Sequence, residues 1–312
     1  MNSRFVVVTF ALVLTLSGCV RYEDGRSAFD NRDFATAFAK WQLLAKFGDA
    51  KAQNELGWLY QEGLGTPPDA ATAVLWYRKA ASQGLAVAQT NLGIMFNDGI
   101  GVPRNPGEAA KWFELAARQG DPSALNNLGV LYDKGDGVPE DDRKAVELLT
   151  RAAELGHPRA MSNLGLMYRL GEGVPEDAAT ATRWFRSAAD KKDLEGINNL
   201  GVMLDQGLGA AQDRTKAMSL FDAAARAGHP GAAVNLALMM MRAPATLPSD
   251  QEGERIRPLV KAYAWLNFAA GLGNLEARQY RAELHSKLTS EEIADAQRLS
   301  VAWSSKARMT VD

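Results

Sequence analysis

Leu56, Leu92, Leu128, Leu164, Leu200 and Leu236 stand at intervals of 36 residues, and the first five are each followed by glycine. Self-similarity at that period is incompatible with a fold closed around one central core, because each unit can bury its apolar face only against its neighbours along one axis. Function in such an array belongs to a surface rather than to one cleft.

Counting back from each leucine shows what a unit contains. Nineteen residues upstream lies an alanine in every unit: Ala37, Ala73, Ala109, Ala145, Ala181 and Ala217. Large apolar pairs follow, such as Trp76-Tyr77, Trp112-Phe113, Leu148-Leu149 and Trp184-Phe185, and then small pairs such as Ala80-Ala81 and Ala116-Ala117. Steps of three, four, seven and eight make one apolar stripe on an α-helix, here helix A. Gly48, Gly84, Gly120, Gly156 and Gly228 come next, where a helix ends in the left-handed region. A second helix, B, opens near Ala52, Ala88, Ala124, Ala160 and Ala232 and runs through the leucine to Tyr60, Phe96, Tyr132, Tyr168 or Leu204. Glycine pairs such as Gly63 and Gly65 close the unit, and Pro67, Pro103, Pro139 and Pro175 read as starts of the next helix A.

These residues, in register over six units, resemble Sel1-like repeats, relatives of the tetratricopeptide repeat, across about residues 30–288. The resemblance implies an all-α, right-handed α-solenoid of stacked helix pairs whose A helices line a concave face that binds other proteins. The expected division is a leader at 1–18, an attachment segment with a leading helix at 19–32, and seven repeats at 33–68, 69–104, 105–140, 141–176, 177–212, 213–257 and 258–288. A capping helix at 289–312 completes it. In the seventh repeat Ala262, Trp265, Gly273 and Ala277 reproduce the spacing nine residues late, because the segment 243–258, with Pro244, Pro248, Ser249 and Pro258, replaces the glycine loop. That segment reads as an exposed loop. Thr289, Ser290, Glu291 and Glu292 mark the start of the cap. Lys192, Gly196, Ala211 and Ala237 depart from the frame, so the fifth and sixth repeats are expected to be looser, with Gly196 softening its helix by about 0.5–1 kcal/mol.

At the N-terminus Arg4 precedes an apolar run at 5–16, suited to a signal-peptide core and short of the roughly 20 residues that span a bilayer. Leu16-Ser17-Gly18-Cys19 resembles the bacterial lipobox, which implies acylation of Cys19 and cleavage before it. The resemblance to enterobacterial lipoproteins further implies the outer membrane, since Val20 stands where an aspartate would favour inner-membrane retention. Residues 22–31 read as a short helix that keeps the array close to its membrane. Cys19 is the single cysteine, so no internal disulfide is expected. That separates the chain from cysteine-rich members of the repeat family, whose activities are not carried over.

Removal of residues 1–18 takes one arginine and leaves 34 basic against 37 acidic residues, a formal charge of −3. No basic face suits nucleic acid. His157 and His229 occupy the turn slot held by Asp49, Asp121 and Asp193 in other units, which makes them framework; His285 has no partner legible in the sequence. Asp133, Asp136, Glu140, Asp141 and Asp142 lack the spacing of a calcium loop and read as surface acids. With no P-loop, nucleophile elbow or metalloprotease motif, the chain reads as a non-enzyme with no cofactor and no metal. The rival reading is a periplasmic enzyme or ligand-binding protein for a cell-wall or small-molecule substrate.

Two ladders remain. Asn91, Asn127, Asn163, Asn199 and Asn235 precede the helix B leucines and read as bonded to an adjacent turn or helix, although stacked asparagines can also grip an extended peptide. The second ladder, seventeen and fourteen before each leucine, includes Leu75 and Arg78, Lys111 and Glu114, Glu147 and Thr150, Arg183 and Arg186, Ser219 and Asp222. It changes from unit to unit while the frame does not. Arg78, Lys111, Glu114, Glu147, Arg183, Arg186 and Asp222 are therefore the candidate contacts for an unidentified envelope protein. Lateral ion pairs between units account equally well for the alternation of sign at Lys111, Glu147 and Arg183, and exposed pairs contribute only about 0–1 kcal/mol.

Overall fold

The computed structural model describes residues 20–242 and 258–309. Among the described residues there are sixteen helices and no strand: α1 (Tyr22–Asp30), α2 (Phe34–Lys46), α3 (Ala50–Glu62), α4 (Ala70–Ser82), α5 (Ala86–Asp98), α6 (Pro106–Arg118), α7 (Pro122–Lys134), α8 (Asp142–Glu154), α9 (Pro158–Leu170), α10 (Ala178–Asp190), α11 (Leu194–Gln206), α12 (Arg214–Arg226), α13 (Pro230–Arg242), α14 (Pro258–Gly271), α15 (Leu275–His285) and α16 (Ser290–Met309). The even-numbered helices α2 to α14 are the A helices, and α3 to α15 are their B partners. The residues form two compact halves divided at Leu155/Gly156, and within each half consecutive helices pack as stacked pairs. The architecture is the all-α solenoid of helix pairs that the 36-residue period demands. Cys19, expected from the sequence to be acylated, the expected leader at 1–18 and the expected loop from residue 243 to 257 lie outside the described residues.

Each of the first six A helices begins three residues after the position of the loop proline, behind an aspartate or asparagine at a fixed register. Asp33, Asp69, Asn105, Asp141, Asp177 and Asp213 accept from a backbone N–H in the first turn. The proline thus belongs to the loop and does not open the helix. From the second A helix on, the capping residue's own N–H returns to the ring position of the preceding B helix: Asp69 N to Tyr60 O at 2.8 Å, Asn105 N to Phe96 O at 2.7 Å and Asp177 N to Tyr168 O at 2.8 Å are examples. One side-chain cap and one backbone bond therefore set the entry angle of the second to the sixth A helix. Each B helix of the first five repeats ends at a left-handed glycine, with φ between 62° at Gly135 and 74° at Gly171. Lys192, which replaces the glycine after an A helix, is held at φ 64°. That conformation is costly for a side chain with Cβ.

In the apolar pairs of the A helices the second member is buried throughout, joined by the first in Leu148 of α8 and Trp265 of α14. Trp41, Tyr77, Phe113, Leu149, Phe185 and Phe221 are buried, while Trp76, Trp112, Trp184 and Leu220 are half-buried. The buried ring lies against the glycine that follows the leucine of the preceding repeat. A Cβ on Gly93 would stand 2.5 Å from Phe113 Cε1, and one on Gly201 would stand 2.6 Å from Phe221 Cε1. Glycine is the hole and the ring is the knob.

Gly196 is not the loose point expected from helix propensity. A Cβ there would meet Ala188 Cβ at 2.4 Å and Ser162 Oγ at 2.8 Å, so its glycine permits a close approach of three helices. Helices α10 to α13 keep the same 13-residue length as their predecessors.

Both ends of the described array are covered. Gly25 of α1 lies under Trp41, whose Nε1 donates to Tyr22 O at 3.2 Å, and Phe29 packs on Trp41 and Trp58. Tyr22 donates to Glu55 Oε1 at 3.1 Å, and burial, reinforced by that carboxylate, pushes its hydroxyl pKa up to about 12. At the other end Thr289 and Glu292 cap α16 reciprocally, and Trp303 stacks on Trp265 with ring centroids 3.9 Å apart.

Candidate functional site

The A helices turn a buried stripe inward and leave a polar edge. Arg78, Lys111, Glu147, Arg183 and Arg186 are exposed, and Glu114 and Asp222 are half-buried. The ion pairs of this edge are local. Lys111 Nζ lies 3.0 Å from Glu108, Glu114 lies 3.9 Å from Arg118, and Asp222 accepts from Arg226 Nε at 2.7 Å, each within one helix. Arg183 donates to Thr180 Oγ1 at 2.8 Å on the same helix. Within each half, no hydrogen bond or ion pair joins any two of the seven candidates among the described residues. The lateral pairing suggested for Lys111 is replaced by its own-helix partner one turn away, which is closer than any neighbour across an inter-helix spacing of about 8–10 Å.

In the second and third repeats the second position of the ladder lies over the ring of its own B helix. The Arg78 guanidinium stands 5.4 Å from the Phe96 ring centroid, and Tyr132 donates to Glu114 Oε1 at 3.5 Å. Lys144 of the next repeat completes the second group: its Nζ donates to Tyr132 Oη at 2.5 Å and lies 4.0 Å from that ring. The hydrogen bond from Lys144 to Tyr132 raises the lysine pKa, so the ammonium stays charged. The edge is thus a composite of A-helix charges and B-helix rings. The register marks those rings as frame; the signal that places Lys144 beside Tyr132 is its position one turn before Leu148.

Two residues of the asparagine ladder tie adjacent repeats together. Asn91 Nδ2 donates to Asn54 Oδ1 at 3.0 Å and Asn235 Nδ2 to Asn198 Oδ1 at 2.9 Å, each bond joining B helices of adjacent repeats. Between these, Thr90 bonds Asp121 at 3.1 Å and Ser162 bonds Asp193 at 2.7 Å, so the residue two before the leucine alternates amide and hydroxyl. His157 and His229 are N-caps, accepting through Nδ1 from Ala160 N at 3.2 Å and Ala232 N at 2.9 Å. His229 Nε2 also meets Glu195 at 2.9 Å, and this bond holds the Glu195 carboxyl below its usual range. His285, in contrast to the sequence reading, has a partner in Tyr263 Oη at 3.0 Å.

In the acidic loop Asp141 caps α8 and Asp136 pairs with Arg104, while burial and the nearby Asp142 raise the Asp133 pKa. Among the described residues no group of three or more His, Cys, Asp and Glu side chains is placed to hold a metal ion. No helix among them is long and apolar enough to cross a membrane.

The Sel1 repeat model matches residues 50–85, 86–121, 122–157, 158–193, 194–229 and 251–274. The chain belongs to the Sel1 repeat family. Each full Sel1 match joins a B helix to the A helix of the next repeat, the pairing in which ring meets glycine. The chain is similar to a Sel1 repeat protein from Oxalobacter formigenes, with 31% identity and a TM-score of 0.70 over 80% of this chain and 96% of that one. It is also similar to a protective antigen present in uropathogenic Escherichia coli strains that displays an SLR fold, with 32% identity and a TM-score of 0.67. That match covers 97% of this chain and 64% of the antigen, so the chain spans less than two thirds of its length. No functionally curated protein matches. Sel1 repeats generally form binding folds rather than catalytic ones, and Sel1 repeat proteins bind protein partners.

Proposed function

We propose that the chain is a scaffold of the bacterial cell envelope, anchored through a lipid on Cys19 to the periplasmic face of the outer membrane, which holds an envelope protein on its A-helix edge. The observation that carries the reading is the contrast along that edge. Core positions repeat from unit to unit, whereas Arg78, Lys111, Glu114, Glu147, Arg183, Arg186 and Asp222 vary in charge and lie at or near the surface. A frame that needs no charge at these positions leaves them to a partner. Anchoring is supported by the lipobox-like run ending at Cys19 and by α1, which begins at Tyr22 and is packed on the first repeat. That arrangement holds the first repeat near the lipid.

One crosslinking experiment in fractionated envelopes tests both parts. The wild-type chain is expected in the outer-membrane fraction, crosslinked to a defined protein. Cys19→Ala is expected to leave that fraction, and Arg183→Glu with Arg186→Glu to stay in it with unchanged helicity and lose the crosslink. Retention of the crosslink by the double reversal would overturn the assignment of the edge, and membrane retention of Cys19→Ala would overturn the anchor.

A further inference from the structure

In the seventh repeat the register that starts at Ala262 reaches residue 281 where six earlier repeats have their leucine, and that residue is Arg281. Four residues on, at the ring position of the B helix, stands His285. The start of the helix and its buried stripe are kept: Ala277 and Leu284 are fully buried at their usual places, and Asn274 caps the helix by accepting from Ala277 N at 2.8 Å. Tyr280 and Ala282 also depart from the asparagine and glycine that flank the leucine of most other repeats, so the change is concentrated around Arg281 and His285. Here the next element is α16, and between it, α14 and α15 a cavity of about 430 Å³ replaces the apolar contact, lined by Tyr263, Asn267, Arg281, Ala282, His285 and Gln297.

The chemistry of that lining is one-sided. Arg281 Nη1 donates to Asn267 Oδ1 at 3.1 Å, which orients the guanidinium and leaves its other N–H groups available. Tyr263 Oη and His285 Nδ1 are 3.0 Å apart on the same wall. No carboxylate lines the cavity, and among the described residues none forms an ion pair with Arg281. A half-buried guanidinium with only an amide partner lacks the counter-charge that such a group favours. The cavity falls within the range of small-ligand sites, about 300–1,000 Å³.

We propose that this pocket binds a small oxyanion, a carboxylate or phosphate, with Arg281 as its anchor, Asn267 as the residue that positions the guanidinium, and Tyr263 with His285 as the polar wall. The site is separate from the A-helix edge and independent of the scaffold reading.

Isothermal titration of the full chain with sodium succinate, inorganic phosphate and uncharged succinamide tests it. Saturable binding of succinate or phosphate, with none of succinamide, is expected, and the tighter of the two anions identifies the source of the oxyanion. Arg281→Leu restores the residue of the other repeats, so it is expected to fold with an undiminished melting temperature and to weaken anion binding roughly ten- to a hundredfold. Arg281→Lys keeps the charge without the planar fork and is expected to fall between the two. Absence of saturable binding by either anion, equal binding of succinamide, or unchanged affinity in both Arg281 variants would overturn the proposal.

Discussion

A methyl group added to Gly165 would stand 2.6 Å from Cε1 of Phe185, a ring twenty residues downstream on the next A helix. Alanine is the better helix former by about 0.5–1 kcal/mol, so local propensity alone favours the substitution. Packing opposes it, because overfilling a close-packed contact costs about 1–3 kcal/mol. Gly165→Ala is therefore expected to lower the midpoint of urea denaturation, and Phe185→Leu added to it is expected to recover part of the loss. The chain itself uses the smaller pairing: Ala237 replaces the glycine where the register offers Leu266, and both are buried. A neutral or stabilising Gly165→Ala would refute the knob-and-hole account. The leucine-glycine doublet was plain in the sequence, but its cause was not, because it depends on which member of the Trp184-Phe185 pair turns inward. Gly196 and Arg281 were obscured in the same way, since a departure from a frame acquires meaning only from its neighbours in space.

At the scale of the element, both helices of each repeat were legible because their apolar stripes recur with helical spacing. The start of helix A was not. Proline suits a first turn, and Pro67 and Pro175 drew attention from Asp69 and Asp177, which hold the capping position two residues on. The caps have a consequence for acid stability. Asp33, Asp69 and Asp177 each accept from the side chain and backbone of a threonine three residues ahead, and the threonine hydroxyl, followed by the backbone N–H, holds each carboxyl below its usual range. A depressed folded-state pKa stabilises the fold fully above the unfolded value, near 4. That contribution disappears as the pH falls through the lower folded value. Replacing all three by asparagine, the residue that caps α6 as Asn105, keeps a neutral acceptor. The triple variant is expected to show a smaller loss of melting temperature than wild type between about pH 5 and pH 2. An identical pH profile would show that these caps do not titrate with folding.

At the scale of the whole molecule, the order of the array follows from the 36-residue period, and the closing of its C-terminal end follows from the amphipathic run after Thr289. What the period could not show is how the cap is seated, because α16 has no counterpart in the frame. It is seated through Trp303 on Trp265, with Ala296 of the same helix fully buried. Stability in a stacked array is close to a sum of repeat and nearest-neighbour interface contributions, so damage at an end stays near that end. Trp303→Ala removes a half-buried ring from its stack on the buried Trp265 and is expected to cost about 1–3 kcal/mol. Hydrogen exchange gives the sharper test. Within the second half, amides of α14 and α15 should lose protection in Trp303→Ala while those of α10 and α11 retain theirs, because α12 and α13 stand between them in the stack. Uniform loss of protection from α10 through α15 would mean that this half unfolds as one cooperative block, and that its repeats cannot be treated as separable units.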